Sequence, residues 1–161
     1  MAQLAGMAVV AVAAAPSASL NMLAAVLHYS LEATTLAIST LRSLAPEFTS
    51  DPTVRAELAA LDVDAKLATV QALVASLAAR KTEEDEVMRV CVTNVSECVA
   101  QLNTTLEAIK TELATHQTRY LSSWRSPNTA EPLVQLRLLM GVLDKRVDLL
   151  LKVKDFMKTT T

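Results

Sequence analysis

Glycine and aromatic side chains are what this 161-residue chain has least of, with two Gly and aromatics at 3% of residues. Sheets joined by tight turns usually need more Gly than this, so the shortage argues against a β fold. A core without aromatics must be built from Ala, Leu and Val, which suits closely packed helices. An excess of one charge is missing too: 15 Lys and Arg stand against 17 Asp and Glu, for a formal net charge of −2. No basic cluster is interleaved with the scattered Tyr29, Phe48, Tyr120, Trp124 and Phe156. Both the electrostatic footprint and the stacking platform of a nucleic-acid-binding protein are therefore absent, and nucleic acid is not an expected partner.

Cysteine is nearly absent as well. Cys91 and Cys98 stand seven apart on one helix face, about 10.5 Å along the axis at 1.5 Å per residue, against a limit of about 7 Å for a disulfide. Both read as free, small core residues, which fits an intracellular setting of unspecified compartment. The shortage of Gly, Cys and His also removes chemistry. Gly6 and Gly141 cannot form a phosphate-cradling loop. Carboxylate-bridged metal bundles need Glu-x-x-His, whereas Glu112 and His116 are spaced i,i+4. Neither Cys has a nearby His at a helix N-terminus to activate it, and His28 and His116 read as core or interface residues holding one hydrogen bond. No catalytic residue, metal ligand or cofactor is expected, and the chain reads as a non-enzyme. The sequons at Asn94 and Asn103 fall inside a helix and read as chance.

Residues 1–31 contain no Asp, Glu, Lys or Arg, the first charge being Glu32. Three readings stay open for the apolar segment 1–15. It packs on the bundle or a partner; it associates with a membrane, the uncharged run being long enough to span about 30 Å of hydrocarbon; or it is a targeting signal with Ala13 and Ala15 before the cut. The last lacks a basic n-region and places Pro16 first after the cut. The run's Pro16, Ser17, Ser19 and Asn21, with no flanking Lys or Arg, weaken the second.

What the chain does contain is helical periodicity. Thr82 to Trp124 holds neither Gly nor Pro and keeps one stripe: Val87, Cys91, Val95, Cys98, Leu102, Leu106, Ile109, Leu113, His116, Tyr120 and Trp124. Acids at Glu83–Glu86 sit at the positive end of its dipole. Before it, Pro16 to Ala45 predicts a helix with Leu20, Ala24, Leu27, Leu31, Thr34, Ile38, Leu41 and Ala45 inward, widened by Leu23, Val26, Leu36 and Leu44 and ended by Pro46. Asp51-Pro52 predicts a capped start for a second helix, to about Arg80. This one carries two stripes, an Ala-rich one (Val54, Leu58, Leu61, Ala65, Ala68, Ala72, Ala75, Ala79) and a bulkier one (Val63, Leu67, Val70, Val74, Leu77), so it needs two neighbours. Thr129–Pro132 opens the last helix, to about Met157. Its main stripe is Leu133, Leu136, Met140, Leu143, Val147, Leu150 and Met157, broadened by Leu139, Val142, Leu149, Val153 and Phe156; Asp148 and Lys152 form an i,i+4 pair on the solvent face.

The expected fold is all-α, an antiparallel four-helix bundle with a long third helix, as a bundle domain at 16–161 after the apolar segment 1–15. The expected function is protein–protein interaction, as a structural subunit or homo-oligomer. Its candidate face is Val63, Leu67, Val70, Val74 and Leu77, with His116, Tyr120 and Trp124 where the long helix outruns its bundle. The alternative is a membrane-associated or lipid-binding helical protein using residues 1–31.

Overall fold

The computed structural model describes residues 15–44, 51–80, 85–119 and 124–160, with side chains in the first helix described from Met22 onward. Among the described residues there are five α-helices and no strand: α1 (Ala15–Leu44), α2 (Pro52–Ala60), α3 (Val63–Ala79), α4 (Glu86–Thr118) and α5 (Ala130–Thr160). The apolar segment up to residue 14, the loop 46–50, the charged run 81–84 and Tyr120 lie outside the described residues.

The helix starts are where the sequence puts strong caps. Asp51 accepts from the backbone amides of Thr53 (2.9 Å) and Val54 (3.3 Å), with Pro52 at the first helical position where an amide is not needed. Asp85 likewise accepts from Met88 N at 2.9 Å.

The helix expected from Pro52 to Arg80 is broken. Leu61 ends α2, and Asp62 stands at φ 52°, ψ 43°, the one non-glycine residue with positive φ among the described residues. Asp tolerates this left-handed region better than most residues. The break explains the two stripes. A straight helix would carry Val54, Leu58 and Leu61 on through Ala65, Ala68 and Ala72. After the left-handed residue the inward face restarts at Val63 and runs Leu67, Val70, Val74, Leu77, all buried, while Ala65, Ala68, Ala72, Ala75 and Ala79 are exposed. One face needs one set of neighbours, so the second neighbour expected for this segment is not required.

α4 is the longest helix, 33 residues, about 50 Å at 1.5 Å per residue. Its buried face includes Cys91, Val95, Cys98, Leu102, Leu106, Ile109 and Leu113, as its periodicity predicts, and is widened by Met88, Val92, Ser96, Val99 and Thr105. It stops earlier than expected. Leu113 is its last buried residue, and Arg119 is already extended (φ −74°, ψ 140°). Past Leu113 no residue of α4 is buried, so its last turn adds little apolar contact to carry the helix further.

α1 packs closely on α3 and α4, and α4 on α5. One apolar cluster joins all five helices. Buried Thr34, Ser96 and Thr105 each donate to the carbonyl four residues back, while the buried Ser30 Oγ has no hydrogen-bond partner among the described residues. Thr40, also buried, has its Oγ1 2.7 Å from Asn103 Oδ1 and 2.9 Å from Glu107 Oε1, a polar link from α1 to α4. α5 meets α2 and α3 differently, through side chains reaching across: Arg137 pairs with Glu57, and Lys66 with Asp144 at 2.9 Å.

Candidate interaction surface

The five α3 residues of the candidate face, Val63, Leu67, Val70, Val74 and Leu77, are 0–3% exposed. They are part of this chain's own core. Gln71 beside them reaches Thr35 of α1 (3.0 Å), and Val70 faces Leu143 and Val147 of α5 across a cavity of about 130 Å³. In this folded state they present no surface to a second molecule.

His116 and Trp124 lie elsewhere, at the end of the molecule where α4 gives way to α5. His116 is half-buried and its Nε2 contacts the carbonyl of Arg125; Glu112 accepts from the Asn128 amide at 3.2 Å. These contacts fold the chain back against the last turns of α4. Trp124 is 85% exposed. The eight candidate residues thus divide into a buried α3 face and a tip, with Tyr120 outside the described residues.

The larger apolar surface is on α5. Val134, Leu138, Val142, Leu149 and Phe156 are 51, 63, 37, 51 and 71% exposed. Their steps of four, four, seven and seven hold them on one side of the helix for about 33 Å. Sequence reading assigned Val142, Leu149 and Phe156 to the core face; of the broadening positions, Leu139 is buried and Val153 half-buried. The spacing that reveals the ridge is in the sequence. Its direction is not, because α5 has apolar residues on both sides of its polar strip. At its end the ridge meets a groove of about 610 Å³ between the start of α4 and the end of α5, lined by Val87, Val153, Phe156 and Met157, with Asp85, Lys152 and Thr160 at its edges. A shorter row, Met22, Tyr29 and Leu36, stands exposed at steps of seven on α1.

Electrostatics offer little to chemistry. Burial pushes the Cys91 and Cys98 thiols up, away from the reactive thiolate, and Cys98 Sγ lies 3.4 Å from the Leu139 carbonyl. The Glu57 carboxyl is held below its ordinary range by the hydrogen bond from Arg137. Among the described residues no three His, Cys, Asp or Glu side chains gather as a metal site. Asp148 and Lys152 form the i,i+4 ion pair their spacing predicts, at 2.7 Å. Comparison with protein-family models, curated proteins and solved structures finds no match.

Proposed function

We propose that this chain is a non-enzymatic interaction or structural subunit, a four-helix bundle in which α2 and α3 count as one leg. Two sets of contacts support antiparallel hairpins. Thr35 meets Gln71 while Leu41 and Arg42 lie with Leu58, Ala59 and Val63, so α1 and α2–α3 run in opposite directions. Glu112 meets Asn128 while Asp85 and Val87 lie with Phe156 and Met157, so α4 and α5 do too. The pairs Glu57–Arg137 and Lys66–Asp144 then set the hairpins side by side, with α2–α3 parallel to α5.

The observation that carries the functional reading is the α5 ridge. Its five side chains expose on the order of 500 Å² of apolar surface, at the upper end of what a monomer ordinarily shows and over half of the roughly 800 Å² each partner gives a standard interface. The partner is another protein or a second copy of this chain. Light scattering after size exclusion on the full chain, with and without Leu138→Glu and Phe156→Glu, tests this. The expected result is an oligomer or partner complex weakened about 100-fold by the double substitution, with helicity and urea midpoint unchanged. Association that ignores both substitutions would remove α5 as the contact face.

A second reading, membrane association, is favoured by Met22–Leu44, which is long and apolar enough to cross a bilayer by length and composition, although a third of that stretch is buried in the fold. Liposome flotation with and without residues 1–15 tests it. Flotation of both chains is the expected result, since the truncation leaves Met22–Leu44 intact; failure of the intact chain to float sinks the reading, and flotation lost on truncation would move the membrane contact to residues 1–15.

A further inference from the structure

The geometry points to the seam between α3 and α5 as an opening edge of the molecule, along which the buried α3 face becomes available. This rests on the reading that the chain works through apolar helix faces, and supplies the route by which the best-packed of them is reached. Four independent features coincide on this one seam. Neighbouring legs elsewhere, α1 with α3, α1 with α4 and α4 with α5, are in close backbone contact, whereas α5 meets the α2–α3 leg through side chains. The rim is held by two ion pairs with partly exposed partners, Glu57–Arg137 and Lys66–Asp144. Lys66–Asp144, a single contact between partly exposed groups, holds weakly and is screened by salt, while the two-point Arg137–Glu57 pair is the firmer of the two and anchors the α2 end of the seam. Under the rim lies the cavity of about 130 Å³ bounded by Lys66, Thr69, Val70, Leu143, Asp144 and Val147, so the apolar walls there lack part of their mutual contact. Finally, the left-handed break at Asp62 falls between the two ion pairs, one in α2 and one in α3.

Together these make separation of α3 from α5 the least costly partial opening. Hinging the α2–α3 leg about its packing on α1 leaves α1–α4 and α4–α5 in place and uncovers Val70 on one wall, Leu143 and Val147 on the other. Each wall then carries one charge of each sign, Glu57 and Lys66 facing Arg137 and Asp144.

The test is thiol accessibility in the full chain. Val70→Cys is close in volume and lines the seam cavity, while native Cys98, fully buried between α4 and α5, is an internal control in the same molecule. Under excess iodoacetamide, the introduced thiol is expected to be alkylated at least tenfold faster than Cys98. Adding Lys66→Glu, which sets like charges face to face with Asp144, should speed it several-fold further, and Lys66→Glu with Asp144→Lys should return it. Equal rates at the two thiols, with Lys66→Glu moving both together, would mean that the seam parts only when the whole molecule unfolds, and would overturn the proposal. Should Val70→Cys fail to fold, amide exchange of the unsubstituted chain reads the same event: α3 amides exchanging well ahead of α4 amides support the opening, and exchange in step overturns it. Loss of this proposal leaves the α5 ridge and its association test untouched, so the two failures are distinguishable.

Discussion

Replacing Val74 by Asp should unfold this protein. Val74 is wholly buried on α3, inside the apolar cluster. An unpaired buried charge is among the few single changes that cost about 4 kcal/mol or more, and a domain of this size has only about 5–15 kcal/mol to lose. Circular dichroism under urea is the measurement: Val74→Asp should lose its cooperative transition, while Val74→Ala, which removes only methyl groups, should lower stability by about 2 kcal/mol and keep it. The sequence alone predicts something different, a face whose substitution dissociates a complex and spares the helices. A Val74→Asp chain with full helicity and an unchanged midpoint would bring that reading back.

Deleting Asp62 should be nearly as damaging, though the residue is exposed and its side chain makes no capping bond. Its role is phase. Without it, a continuous helix starting from Val54, Leu58 and Leu61 would bring Lys66 and Thr69 onto their face and carry Leu67 and Val74 off it, at about 100° per residue. Either the chain buries a lysine or it gives up the α3 face, and both routes cost about 4 kcal/mol or more. Asp62→Gly should go the other way. Glycine reaches φ 52° without the clash a Cβ makes, so a gain of about 0.5–1 kcal/mol is expected in the same urea titration. If the deletion were harmless, the left-handed residue would not be what sets the register of α3.

These two residues also show how far the sequence could be read. Caps were legible because Asp51-Pro52 has a local cause, a carboxylate beside free amides, that no distant contact needs to confirm. The α4 face was legible because its stripe is unbroken from Cys91 to Leu113. The polar strip of α5 was legible in Arg137, Asp144 and Asp148, although the sequence does not show that Arg137 and Asp144 spend their charges on Glu57 and Lys66. Asp62 was not. A polar residue in a helical run has the same signature whether it faces water or adopts φ > 0, and only the mismatch between the Val54–Leu61 and Val63–Leu77 stripes hinted at a break. The α5 ridge was hidden for a related reason. Leu149 and Phe156 fall at helical spacing from core residues, and hydrophobicity alone does not say which of two apolar sides meets a neighbour. The end of α4 differs from the expected one because Trp124 continues its period without continuing its burial.

The scarcity of aromatics has an optical consequence. Trp124 is the chain's single tryptophan, and at 85% exposed it already sits in water. Its emission should therefore scarcely change as the core comes apart, so a flat fluorescence trace during a denaturant titration says nothing about cooperativity. The same indole gains what most tryptophans lack, a quiet background. A blue shift at constant helicity would record a second surface arriving at the tip where α4 hands over to α5.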